Sequence, residues 1–232
     1  MVDHLHLPVI EPVGRPSVAD QVFDELRRQI LTLEVAPGTK VSEVDVATQM
    51  GVSRQPVRDA FYRLSKLGFL QIRPQRATTV TLISEAAVMQ ARFVRTALEI
   101  ETMRSAVARL GAQDFAALDA LIEAQRAAME AGDKPLFHAL DDQFHMEICD
   151  RAGLGFVWDL VADRKAHTDR VRMLSLAIAS RLAWDDHLAI LAALRARDAD
   201  IAAEAIRTHL SRIRDQIEVI RAQNHPWFEG DA

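Results

Sequence analysis

A mainly α chain is expected here: an N-terminal unit of three helices and a β-ribbon, followed by an all-α antiparallel helical bundle. Three observations point that way. Strand-like runs are confined to Phe69–Arg73 and Thr78–Leu82. From Ser84 onward Ala, Leu, Arg and Glu dominate, residues that favour helix over strand. The breaks in that later stretch are short, at Gly111, Gly132-Asp133 and Gly153-Leu154-Gly155, and short connections make antiparallel neighbours.

Each N-terminal element has its own signal. Ser17 can cap a helix whose apolar positions Val18, Val22, Phe23, Leu26, Ile30 and Leu33 follow helical spacing, and Pro37-Gly38 breaks the chain behind it. Ser42 precedes Glu43-Val44-Asp45, a cap with acids in the first turn. Val46 and Met50 then form a stripe ending at Gly51. Ser53 opens a third helix, with Pro56 tolerated in its first turn and Val57, Phe61, Leu64 and Leu67 inside; Gly68 ends it. The two strand-like runs, joined by Pro74-Gln75-Arg76-Ala77, complete a winged helix-turn-helix.

Later helices are expected near 84–110, 113–131, 134–152, 154–179, 181–196 and 198–222, with no repeat of solenoid period and no sustained heptad. Beyond Asn224, Pro226 cannot continue a helix, and Trp227 and Phe228 should pack locally or on a partner chain. The organisation expected is a flexible arm over 1–15, a DNA-binding domain over 16–83, a helical metal, effector and dimerisation domain over 84–224, and a tail over 225–232.

Composition excludes several classes. The chain has 232 residues, 49% apolar and 26% charged, close to ordinary globular averages. One cysteine, Cys149, excludes a disulfide framework and a cysteine-based zinc ribbon and fits a reducing compartment. No apolar stretch approaches the roughly 18 residues of a spanning helix, and the first residues lack the pattern of a secretory signal. A cytoplasmic location without membrane contact is expected. The net charge is −5, unevenly spread: residues 1–83 carry ten basic and nine acidic residues, while Ser53–Arg76 holds six basic residues against Asp59 alone. A basic face on an acidic chain fits a DNA-reading module as well as an ordinary solvated helix; the cap, Pro56 and the wing favour the former.

A recognition helix presents its N-terminal turns to base edges in the major groove. Arg54 and Arg58 lie four residues apart on one face. Arginine can bond guanine bidentately, and Gln55 could read adenine. Ser53 and the exposed amides beside it can hold a phosphate. Arg63 and Lys66 lie where backbone contact is expected, and Arg73 and Arg76 flank the wing tip.

The stretch GVSRQPVRDAFYRLSKLGF resembles the DNA-binding domain of GntR-type bacterial transcription regulators, over about residues 16–83. The resemblance implies Arg54, Gln55 and Arg58 as base-facing residues and double-stranded DNA with a palindromic operator as partner. This chain departs from the family at Val44, where a basic residue is common, and at Ala77, where glycine is usual.

In the helical part, a turn of about 100° per residue puts Asp141 and His145 roughly 40° apart on the face of Phe137, Phe144 and Ile148. His187 shares a face with Trp184, Leu191 and Leu194, and His209 lies one helix further on. Taken singly, each is a core histidine or half of an Asp–His ion pair. Taken together, one carboxylate and three imidazoles from three helices suit zinc, nickel or a similar cation. Leu140-Asp141-Asp142-Gln143-Phe144-His145, then Asp186-His187-Leu188-Ala189-Ile190-Leu191, then His209-Leu210, resemble the FadR-like C-terminal domain, often called FCD. That resemblance implies a divalent metal, zinc first with nickel or manganese as alternatives, on Asp141, His145, His187 and His209, beneath an effector cavity. Arg95, in Arg95-Thr96-Ala97-Leu98-Glu99, matches the arginine that faces this cavity; Arg92 and Arg172 are further candidates for an effector carboxylate, or structural ion-pair partners.

An Asp/His₃ site also invites a metal-dependent hydrolase or lyase. The chain lacks H-E-x-x-H, P-C-x-x-C and a Gly-rich phosphate loop, and Glu147 turns away from the ligands. The reading that follows is a homodimeric, metabolite-responsive regulator, a repressor by that resemblance, released by a small carboxylic or sugar acid.

Overall fold

A computed structural model describes residues 16–73, 75–223 and 226–230, without the side chains of residues 176–178. The expected arm over 1–15 lies outside the described residues. The described residues divide into two compact units, one holding those of 16–28 and 40–79, the other those of 29–39 and 80–230.

In the first unit, α1 (Val18–Leu31) begins behind a reciprocal cap. Asp20 N donates to Ser17 Oγ at 3.1 Å, and Ser17 N donates back to Asp20 Oδ2 at 3.1 Å. Ser42 caps α2 (Glu43–Met50) by accepting from the amides of Val44 and Asp45. At the other end Gly51 takes φ 66°, the left-handed conformation that lets its amide close on Ala47 O and Thr48 O. That sharp turn leads into α3 (Arg54–Lys66), whose inner stripe Val57, Ala60, Phe61 and Leu64 is buried with Val22, Phe23 and Leu26.

The ribbon has one strand more than expected. β1 (Lys40–Val41) pairs antiparallel with β3 (Thr78–Val80), in the register Lys40 opposite Thr79, and β2 (Leu70–Gln71) lies on β3's other side. A two-residue strand is too short to show alternation, which is why sequence periodicity missed β1.

The second unit is built on α4 (Glu85–Arg109), α5 (Ala112–Glu130), α6 (Lys134–Arg151), α7 (Gly155–Arg195) and α8 (Ala199–Ala222). α7 packs on both α4 and α8, and α5 on α6. Ile100, Met103, Leu118, Ile122, Phe144, Ile148, Ile190 and Ile206 form the main core. The two helices expected over 154–179 and 181–196 are one continuous helix of 41 residues, about 60 Å long at 1.5 Å per residue. Neither Gly nor Pro occurs between Phe156 and Arg195, so nothing in that stretch interrupts the backbone ladder.

Phe228 bridges Ile83 in parallel: Ile83 N donates to Trp227 O at 2.7 Å and Glu229 N to Ile83 O at 3.0 Å. Trp227 and Phe228 pack with Val88, Val171 and Ile217. Buried Arg170 donates to Thr81 O at 2.8 Å, holding the same segment from α7. No described helix is long and apolar enough to cross a membrane.

Candidate functional site

Two sets of residues carry chemistry, one in each unit. On α3, Ser53, Arg54, Gln55 and Arg58 are exposed on one helical end. Ser53 is the N-cap residue, yet its hydroxyl makes no hydrogen bond to its own helix. Arg54 Nη2 and Arg58 Nε lie 3.6 and 3.5 Å from Glu43 Oε2, so one α2 carboxylate sits between the two guanidiniums. Such exposed pairs are worth at most about 1 kcal/mol, so the arginines can exchange Glu43 for another partner at little cost. Gln55 Nε2 donates to Asp59 Oδ1 at 2.9 Å. Arg76 is exposed beside the ribbon tip. Arg63 is tied inward instead: Nη1 lies 2.8 Å from Asp20 Oδ1, and the guanidinium stacks 3.8 Å from the Phe23 ring centroid. It joins α3 to α1.

In the helical unit α6 contributes Asp141 and His145, α7 His187 and α8 His209. Their donor atoms all lie within 4.8 Å of one another, close to the roughly 4 Å across two Zn–N bonds. Each imidazole presents Nε2 to the others, and each Nδ1 faces a polar side chain behind it. Glu99 Oε2 lies 2.6 Å from His145 Nδ1. Gln125 Oε1 lies 2.8 Å from His187 Nδ1, and its Nε2 donates to Leu140 O at 3.0 Å. Because that amide nitrogen must donate to a carbonyl, Oε1 is the acceptor and His187 carries its proton on Nδ1. Asp186 Oδ2 lies 3.6 Å from His209 Nδ1, and Arg212 holds Asp186 at 3.0 and 3.1 Å. Outer partners of this kind fix tautomer and ring orientation in metal sites.

The inner face is correspondingly short of protons. His145 Nε2 and His209 Nε2 stand 3.2 Å apart, two lone pairs facing each other when both Nδ1 atoms are protonated. His187 Nε2 and Asp141 Oδ1 are buried without a hydrogen bond among the described residues. A buried acceptor cluster left unpaired is costly. A divalent cation would resolve it, and three imidazoles with one carboxylate are donors that suit zinc, nickel or manganese.

The electrostatics agree. Burial raises the Asp141 carboxyl, but Arg172 Nη2, 2.6 Å from Oδ2, and the three imidazoles outweigh it and hold it well below the carboxylate range. Burial, aided by neighbouring imidazoles, holds His187 and His209 below the ordinary 6.5, the neutral form a metal needs. For Asp186, burial is outweighed by His209 and Arg212, which bring it down to about 2.

Above the cluster lies a cavity of about 170 Å³ whose lining includes Asp141, His209, Arg95 and Arg172. Arg95 is buried and bonds Glu99 Oε1 through Nε at 2.8 Å, so one carboxylate serves both Arg95 and His145. Arg92 does not line the cavity; its Nε donates to Leu210 O at 3.2 Å, clamping α4 to α8. His138, Asp142 and Asp169 form a second acidic group, but Lys165 Nζ already lies 2.7 Å from both carboxylates. Glu99 was expected to partner Arg95 or lie on the helix surface, and it does pair with Arg95; its contact with His145, Gln125 and the role of Asp186 went unseen in the sequence. Gln125 did carry a signal: it falls in the apolar stripe Leu118–Ile122–Gln125 of α5.

Residues 18–80 match the family described as bacterial regulatory proteins, gntR family, and residues 90–212 match the FCD domain. The HTH-type transcriptional repressor RspR of Escherichia coli (strain K12) is 38% identical over 213 residues, 91% of this chain and 93% of that protein. The uncharacterized HTH-type transcriptional regulator YdfH of Escherichia coli O6:H1 is 38% identical over 215 residues, 92% of this chain and 94% of that protein. The solved structure of E. coli McbR/YncC has a like fold, with a TM-score of 0.74 at 23% identity over 91% of this chain and all of that one.

Proposed function

This chain belongs to the GntR family of bacterial regulatory proteins and carries an FCD domain, and on that premise we propose that it is a dimeric repressor released from a palindromic operator by a small carboxylate. It is a transcription regulator, and its relatives are regulators rather than enzymes. Two protomers related by a two-fold axis would place two α3 helices on inverted half-sites. Arg54 and Arg58 read guanine edges and Gln55 an adenine. The Ser53 hydroxyl, free of its own helix, joins the α3 amides on a phosphate. Arg76 reaches backbone from the wing, and Arg63 adds charge while bracing α3.

In the helical unit Asp141, His145, His187 and His209 hold a divalent cation, zinc by preference. The bound cation supplies a Lewis-acidic anchor for an effector oxygen. Arg95 and Arg172 orient the carboxylate, Arg172 by sharing its charge between Asp141 and the ligand. Release from DNA requires only that the effector bind two arrangements of the protein with different affinity.

One observation carries this reading: three outward-braced imidazoles and a carboxylate converge, short of protons, on the floor of a cavity lined by two arginines. Elemental analysis of the purified chain tests it. About one equivalent of zinc, nickel or manganese per chain is expected, lost in the double variant His187→Ala/His209→Ala, which should still bind DNA in a gel shift. Full metal content in that variant would refute the site.

A further inference from the structure

The cavity above the cluster has two unlike ends. At the inner end stand Asp141, His209, Arg172, Arg95 and Thr168. Arg95 spends Nε on Glu99, but its Nη2 is buried without a hydrogen bond, as is Thr168 Oγ1. Unpaired buried donors facing a cavity are what an incoming oxygen would satisfy.

The outer end is different. Leu174, Leu182, Ala183, Ile213, Val219 and Ile220 form its wall between α7 and α8. Of the polar groups there, Ser175 Oγ donates to Gln216 Oε1 at 2.7 Å, and Arg212 is held by Asp186. Asp215 and Gln223 are exposed, at the solvent rim. A hydroxylated ligand tail would give up water against this largely aliphatic wall, with few described groups to replace it.

We infer that the effector is a monocarboxylic acid with a compact, unfunctionalised hydrocarbon tail, bound head-inward on Arg95, Arg172 and Thr168, and that sugar acids are excluded. This rests on reading the cluster as the floor of an effector site. The size follows from the volume. An apolar cavity near 150 Å³ takes one benzene-sized group, so about 170 Å³ suits an acid on the scale of hexanoate or benzoate.

Calorimetric titration of the zinc-loaded full chain with acetate, butyrate, hexanoate, benzoate, gluconate and glucuronate tests the inference. Affinity should rise up to about fourfold per methylene from acetate to hexanoate, with an increasingly negative heat-capacity change and no measurable binding of either sugar acid. Leu182, half exposed, can be changed without a buried void, and Leu182→Asn should flatten the chain-length slope. Gluconate or glucuronate binding more tightly than hexanoate, or no gain with chain length, would overturn the hydrocarbon tail while leaving a carboxylate sensor in place. Failure of all six acids would overturn the effector site itself, and this inference with it.

Discussion

His187 illustrates how single residues set the chemistry. Its ring stacks on Phe144 with centroids 4.5 Å apart, and its Nδ1 meets Gln125 at 2.8 Å. Packing fixes the plane and the amide fixes the tautomer. Gln125→Leu should therefore lower zinc affinity about 10- to 100-fold with the ligands untouched, measured by competition with a chromogenic chelator; an unchanged affinity would deny Gln125 this role. Acid should act through the same imidazoles. Burial first, then neighbouring charge, holds His187 and His209 below 6.5. Below about pH 6.5 the unfolded chain takes up protons that the folded chain refuses. The stability of the metal-free protein is therefore full above that pH and falls as pH drops beneath it. Urea midpoints near pH 7.5 and near pH 5.5 check the sign, the lower pH giving the lower midpoint; equal or reversed midpoints would contradict it. The inward pair Asp141 and His145 was legible from helical spacing alone. The contacts of Glu99 with His145 and of Gln125 with His187 were not, because which buried polar group meets which imidazole is set by packing between helices and not by spacing within one.

At the scale of elements, capping chemistry located the starts of α1 and α2 well: Ser17 and Ser42 each accept a hydrogen bond from an amide of the helix they open, and Ser84 does the same for α4, whose start was read from composition. Errors arose where the local signal was missing. α7 carries no residue that would break it, and its division near residue 180 had no chemical basis. β1 exists through its pairing with β3, a tertiary cause invisible to a two-residue window. α3 shows one helix serving two ends. Arg54→Ala should cost about 1–3 kcal/mol of operator binding and relax base preference at one position. Arg63→Ala, which loses Asp20 and the Phe23 ring, should lower folding stability by about 1 kcal/mol and weaken binding evenly across sequences. Binding titrations on a set of singly substituted duplexes distinguish the two. A uniform loss for Arg54→Ala would remove it from base reading.

For the whole molecule, charge and chemistry divide along the chain. The excess of acid lies after residue 83, while the basic face lies on α3 and the wing. The gntR-family and FCD domains were legible because each carries a dense local motif, the Ser53–Arg58 turn in one and the Asp141/His145, His187 and His209 positions in the other. How an acid in the cavity would alter the hold on DNA is written in no single motif, since it would depend on the free energies of two arrangements. The most direct test is fluorescence anisotropy of the full-length, zinc-loaded chain on a duplex selected from a random library, with and without saturating hexanoate. The account predicts at least a tenfold weakening in the wild-type protein, about 1.4 kcal/mol, and no weakening in the His187→Ala/His209→Ala variant, which should still bind the bare duplex. Equal weakening of both proteins, or none in either with hexanoate shown to be bound, would contradict it.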